Sequence, residues 1–174
     1  MGFSVTISTS IILIGLIVLF SSASVAIIQG AREITCVVDD YLAREREKLD
    51  VRLELQIESL NARNCTFTVK NLGCKTIFLR SQNGFQWNTV AFSYGNGSEW
   101  RSYLIEDYSV LEVRVSGTNT IFDPDEHPFI NPGEEAKIVF SVPDGAPDIP
   151  VDGIATVAFV THYGVVARAE GARS

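Results

Sequence analysis

Val51-Arg52-Leu53-Glu54-Leu55-Gln56-Ile57-Glu58 is where the chain changes character. Apolar residues occupy every second position, with charged or polar residues between them. That two-residue period marks a strand with one buried face. Nothing ahead of Val51 carries it. From Phe3 to Ile28 the chain is rich in Ile, Leu, Val, Phe, Ala and Ser, and no charged side chain occurs from Met1 to Ala31. A bilayer span needs ~20 apolar residues, so this segment is long enough to cross with some tilt. Its Ser and Thr residues at positions 4, 6, 8, 9, 10, 21, 22 and 24 are tolerable, because a helix satisfies their hydroxyls on its own carbonyls. Like Gly15 and Ala23, they also suit helix–helix packing.

A cleaved signal peptide is the competing reading. It requires a basic n-region, a short apolar core and a small-residue cleavage site. No Lys or Arg precedes the apolar run, and Ser22-Ala23-Ser24 is only a loose match to the cleavage pattern. The expectation is an uncut anchor over residues 1–31. The positive-inside rule is nearly silent, since Arg32 is followed by Glu33.

Residues 32–50 contain no Pro, and Ile34, Val38, Tyr41 or Leu42, and Leu49 recur at helical spacing. Arg44-Glu45-Arg46-Glu47-Lys48 is a helix-compatible mixed-charge run. One continuous helix from Phe3 to Lys48 is predicted, reaching ~25–30 Å past the bilayer at 1.5 Å per residue. It is either a stalk that pairs with another helix or a solvated linker.

Downstream of Val51 the chain forms the third part, residues 51–174. Further strands are predicted at Cys65–Lys70, Cys74–Arg80, Phe85–Tyr94, Arg101–Ile105, Ser109–Val115, Ala136–Val142, Gly153–His162 and Val165–Ala169. Turn signals separate them at Asn71-Leu72-Gly73, Asn83-Gly84, Gly95-Asn96-Gly97, Ser116-Gly117, Asn131-Pro132-Gly133, Pro143-Asp144-Gly145 and Tyr163-Gly164. No helical period survives beyond position 50. The fold class is therefore mainly β: a long N-terminal transmembrane helix followed by an antiparallel, immunoglobulin-like β-sandwich. About 120 residues are enough for one such domain and too few for two. The Cys–Trp–Cys pattern of antibody domains is absent.

Net charge is −7, of which −2 falls on residues 32–50 and −5 on the domain. No basic cluster stands out, which argues against a nucleic-acid partner. The three cysteines, Cys36, Cys65 and Cys74, cannot all pair within one chain. Cys65 and Cys74 flank a turn, but a hairpin at Asn71-Leu72-Gly73 places Cys74 near the turn and Cys65 far from it. Small buried hydrophobes are the alternative reading. Asn64-Cys65-Thr66 and Asn96-Gly97-Ser98 are candidate glycosylation acceptors at Asn64 and Asn96. Both lie in the domain, which favours an outside location for it and a cytoplasmic N-terminus.

Asp123-Pro124-Asp125-Glu126-His127 could offer oxygens to calcium, but it lacks the spacing of a known loop and reads better as an acidic surface turn. His127 and His162 are the only histidines, and no nucleophile elbow, zinc-protease helix or phosphate-cradling glycine loop occurs. No catalytic, cofactor-binding or metal-ligating residue is assigned. The dense aromatics Phe85, Trp87, Phe92, Tyr94, Trp100 and Tyr103 belong mostly to a core, with an exposed subset available for binding. Strands Gly153–His162 and Val165–Ala169 are candidate edges for sheet extension by a partner.

Met1-Gly2-Phe3-Ser4 runs straight into the apolar helix. A charged extension, the alternating strand, Phe67-Thr68-Val69-Lys70-Asn71-Leu72-Gly73 and later Ile130-Asn131-Pro132-Gly133-Glu134 follow in that order. Over nearly its whole length the chain resembles the FlaF and FlaG accessory proteins of the archaeal swimming motor, the archaellum, and FlaF more than FlaG. The resemblance implies a non-enzymatic stator component, with its helix in the cytoplasmic membrane and its sandwich in the pseudoperiplasm. The implied partners are the surface-layer protein, a FlaG-like stator subunit and further copies of the chain. Archaellins and archaeal pilins share the helix-and-sandwich plan, so a filament subunit polymerising through the N-terminal helix is the alternative. Those proteins carry a basic leader ahead of the helix, which this sequence does not show.

Overall fold

The computed structural model describes residues 2–82, 85–95 and 99–173. Two compact units divide the chain, Met1–Glu45 and Arg46–Ser174.

Helix α1 runs without a break over Gly2–Leu49. Within it Ile11–Ile14 and Leu16–Phe20 are all exposed, each by 45% or more, so the helix is apolar on every side. A helix of that kind belongs in a protein core or in a bilayer; α1 is long and apolar enough to cross a membrane. The hydroxyls behave as the sequence requires. Ser21 Oγ donates to the carbonyl of Ile17 at 2.7 Å, Ser22 Oγ to Leu19 at 2.9 Å and Ser24 Oγ to Phe20 at 2.8 Å. Beyond Arg32 the pattern narrows. Ile34, Val37, Val38, Tyr41 and Leu42 are exposed at positions i, i+3, i+4, i+7 and i+8, forming one apolar stripe among charged neighbours.

Thirteen strands follow: β1 Leu53–Leu60, β2 Asn64–Asn71, β3 Ile77–Phe78, β4 Ser81–Gln82, β5 Phe85–Gln86, β6 Thr89–Gly95, β7 Trp100–Ile105, β8 Tyr108–Val115, β9 Ile121–Phe122, β10 Phe129–Ile130, β11 Glu134–Ser141, β12 Ile154–Val160 and β13 Val166–Ala172. The two main sheets are antiparallel, in the orders β1-β2-β11-β8-β9 and β13-β12-β6-β7. Together they form an antiparallel β-sandwich. The core lies between them, and among the described residues every buried apolar side chain belongs to Val51 or a later residue. Phe92 of one sheet meets Phe140 of the other edge-on at 5.0 Å between ring centres, and Phe67 meets Phe159 at 6.3 Å. Each such ring contributes ~1.5–3 kcal/mol relative to leaving it in water.

Three expectations change. The strand predicted over Cys74–Arg80 is reduced to the two-residue β3. The Asn71 amide takes the Lys75 carbonyl at 2.8 Å, which removes that carbonyl from any ladder. The strand predicted over Phe85–Tyr94 breaks at Trp87-Asn88. There the Trp87 N–H turns to the Arg80 carbonyl at 2.9 Å and the Asn88 amide donates to Phe78 at 2.7 Å. Third, two short strands that were not predicted, β9 and β10, flank the Asp123–His127 turn. The Asn83-Gly84 turn and most of Gly95-Asn96-Gly97 lie outside the described residues.

Cys65 is buried at the start of β2, while Cys74 is exposed three residues past its end; all three cysteines are free thiols. Asn71 lies six residue steps along β2 from Cys65, which is ~20 Å of extended chain. A disulfide needs α-carbons within ~7 Å. Burial pushes the Cys65 thiol up to about 12, so it is an inert core residue.

Candidate interaction surfaces

The two motifs that carried the resemblance are far apart in sequence and adjacent in the fold. Asn71 is fully buried. Its side-chain amide donates to the Lys75 carbonyl at 2.8 Å and the Ile130 carbonyl at 2.9 Å, and its side-chain oxygen accepts the Gly73 N–H at 3.0 Å. The Gly133 N–H donates to the Asn71 carbonyl at 2.9 Å. Both glycines are required. A side chain at Gly73 would sit 2.4 Å from the Asp50 carbonyl oxygen, and Gly133 has φ +84°. Beside them, Glu134 accepts from the Asn131 N–H at 2.7 Å and meets His127 Nε2 at 2.9 Å. Burial raises the Glu134 carboxyl, but His127 and the two Asn131 donors outweigh it and hold the group below its ordinary value. The knot is structural: every polar group in it is committed to another part of the fold.

The Asp123–His127 segment is a turn. The Asp125 N–H donates to Asp123 Oδ1 at 3.0 Å, and the His127 N–H to the Asp123 carbonyl at 2.8 Å. The His127 ring lies between Phe122 and Phe129. Among the described residues no three His, Cys, Asp or Glu side chains come together as metal ligands. His162 packs against Phe78, Trp87 and Tyr163, and burial lowers its pKa. The two histidines serve different local packings, and neither is hydrogen-bonded to a serine, threonine or cysteine side chain among the contacts present.

What the molecule offers instead is two unlike outer faces. On the five-stranded sheet, Glu54, Lys70, Glu135 and Arg114 stand side by side across four strands, alternating in sign. Arg114 Nε meets Glu135 Oε1 at 2.5 Å, and Lys137 Nζ meets Glu58 Oε2 at 2.7 Å. Cross-strand pairs of this kind suit a solvated face. On the four-stranded sheet the outward residues of three adjacent strands carry no charge. They are Thr89, Ala91 and Ser93 of β6, Trp100, Ser102 and Leu104 of β7, and Ile154, Thr156, Ala158 and Val160 of β12. Register places Ala158, Ala91 and Leu104 in one row and Thr156, Ser93 and Ser102 in the next. Charges return only on β13, at Arg168 and Glu170.

At 4.8 Å between strands and 3.3 Å per residue this face spans ~300–400 Å². That is about half of one side of a standard interface. The sequence reading pointed to the strands and missed the face. The region predicted as the edge strand Gly153–His162 is β12, which is central, flanked by β13 and β6. The strand predicted at Val165–Ala169 is β13 and does lie at an edge, as does β7 at the opposite side. Of the two candidate acceptors, Asn64 is exposed at the start of β2, and Asn96 lies outside the described residues.

No known family model matches this chain, and no curated protein matches it in sequence. Solved structures do. The archaeal flagellum of Methanospirillum hungatei strain JF1 aligns over 97% of this chain and 93% of its own, at 15% identity and a TM-score of 0.58. The likeness is one of fold. The archaellum periplasmic stator protein FlaG from Sulfolobus acidocaldarius aligns over 70% of this chain and 99% of its own, at 14% identity and a TM-score of 0.46. The FlaF and FlaG stator complex from the same organism aligns over 68% and 88%, at 16% identity and 0.43. All three are archaellum proteins, but the two stator alignments fall below the score at which a shared fold can be argued.

Proposed function

We propose that this protein is a non-enzymatic, membrane-anchored structural component of the archaellum and belongs to its stator. In this reading α1 crosses the cytoplasmic membrane with its N-terminus inside. The sandwich stands in the pseudoperiplasm, binds the surface-layer protein and works beside a FlaG-like subunit. The observation that carries it is the uncharged outer face of β6, β7 and β12, on a domain joined to a helix that is apolar on every side. A stator must be fixed at one end and hold a partner at the other, and it needs no chemistry. Docking on an uncharged sheet face requires no charge to be desolvated.

The test is co-purification of surface-layer protein with the full-length chain from solubilised archaeal membranes. Ala158→Glu and Ser93→Asp place a charge at the centre of the face and are expected to reduce the co-purified surface-layer protein several-fold. Glu54→Ala, on the opposite face, leaves it unchanged. Absence of surface-layer protein from the wild-type preparation, or retention by both charge variants, overturns the reading.

A filament subunit is the second reading. It is favoured by the fold match to the Methanospirillum hungatei flagellum, which takes in helix and sandwich together. The two part on fractionation: a stator stays with the membrane after filaments are sheared off, and a subunit leaves with them.

A further inference from the structure

The sandwich has a second outward feature that the docking face does not use. Asn64 opens β2 on the charged side of the molecule and is exposed. Side chains alternate along β2, with Cys65 in the core and Asn64 and Thr66 on the outer side. The Asn64 side-chain oxygen accepts the Ser141 hydroxyl at 2.9 Å. That bond is made by the side-chain oxygen and not by the amide nitrogen Nδ2, the atom that a glycan would take. Beside it opens a cleft of about 600 Å³, walled in part by Asp107, Ser109, Ser141 and Asp144. This falls inside the ~300–1,000 Å³ range of small-molecule sites, and hydroxyl and carboxylate groups are natural partners for sugar hydroxyls. Asn64-Cys65-Thr66 is an acceptor sequence for N-glycosylation.

We infer that Asn64 is N-glycosylated, with the first sugar seated beside the cleft at the Tyr108 end of β8 and the Ser141 end of β11, so that the glycan covers the face opposite the uncharged one. The donor is a saccharide carried on a membrane lipid phosphate. Asn64 Nδ2 forms a bond to the anomeric carbon, the bond from that carbon to the phosphate oxygen breaks, and the lipid phosphate leaves with the electron pair while Nδ2 gives up one proton. Cys65 is inside the core, so transfer takes place on the chain before it folds. The finished fold then carries the glycan without rearrangement, because Asn64 already faces outward. A glycan there divides the sandwich into a shielded charged side and a free docking side.

This inference rests on the extracytoplasmic placement proposed above. Trypsin cuts after Arg63 and Lys70, so the peptide Asn64–Lys70 isolates the site. The full-length protein is purified from archaeal membranes and that peptide is weighed by mass spectrometry. Intact cells stripped of their surface layer are treated with protease in parallel. The expected result is a sugar mass on Asn64–Lys70 that disappears in Asn64→Gln and in Thr66→Ala and persists in Thr66→Ser. A peptide found only unmodified, in a protein whose domain the external protease digests, overturns the inference and leaves the placement standing. A domain protected from the protease overturns both.

Discussion

Asn71 joins two turns separated by 59 residues, and its three side-chain hydrogen bonds are all to backbone. Asn71→Ala removes a two-pronged donor and one acceptor from a site with no access for water. Two carbonyls and an N–H are then left unpaired. Each stranded group costs ~1–3 kcal/mol, and some relax toward new partners. The expected loss is about 2–4 kcal/mol, measured as a lower urea midpoint at unchanged slope. Part of this was legible at the outset. Asn71-Leu72-Gly73 and Asn131-Pro132-Gly133 are recognisable as turns from their residue types. That one asparagine side chain holds both together was not, because a hydrogen bond across 59 residues leaves no periodic trace.

At the level of elements, sequence reading succeeded where a single period ran for a full strand or helix. β2 alternates in residue type over residues 64–70, β1 and β8 alternate on either side of a bulge, and α1 spans the predicted Phe3–Lys48 to within one residue at each end. It failed where strands are two residues long. β3, β4, β5, β9 and β10 are too short to show alternation, and they exist because neighbouring elements present carbonyls and amides to them. The charged ladder is another property of neighbours, since it appears only when register is known. Glu58 illustrates it. Lys137, two strands away, donates to its carboxylate, and Thr68 donates at 2.5 Å; in that order these bonds hold the Glu58 carboxyl below its ordinary value of 4.5. A carboxyl depressed in the folded state stabilises the fold fully above its unfolded value and loses that contribution as pH falls through the folded one. Stability is therefore expected to decline below about pH 5. In Lys137→Met the Glu58 titration, followed by NMR, moves back up toward 4.5 and the acid decline weakens. The stalk gives a second test at this scale. If the stripe of Ile34, Val37, Val38, Tyr41 and Leu42 pairs with the same stripe on another copy, Val37→Cys in a background without the exposed thiols, Cys36→Ser with Cys74→Ser, forms a disulfide-linked dimer in oxidised membranes. Glu33→Cys, off the stripe, does not. Equal cross-linking from both positions would show that the stripe is merely solvated.

Across the whole molecule, the helix and the sandwich obey different solvents. Among the described residues the core cluster begins at Val51, and the large apolar side chains of α1 are exposed. A fragment starting at Arg46 is therefore expected to be soluble, and its cooperative thermal unfolding should match that of the sandwich in the detergent-solubilised full chain. A midpoint lower by more than a few degrees would show that the preceding helix contributes to the fold. The fragment also separates holding from binding. It retains the uncharged face of β6, β7 and β12 and has lost the mount. If that face engages a fixed envelope partner, exporting excess fragment to the outside of motile archaeal cells occupies the partner without transmitting load. Swimming should slow in proportion to fragment level, and Ala158→Glu in the fragment should restore it. A filament subunit predicts otherwise: without its helix the fragment cannot enter a helical core, so swimming speed stays the same with or without the substitution.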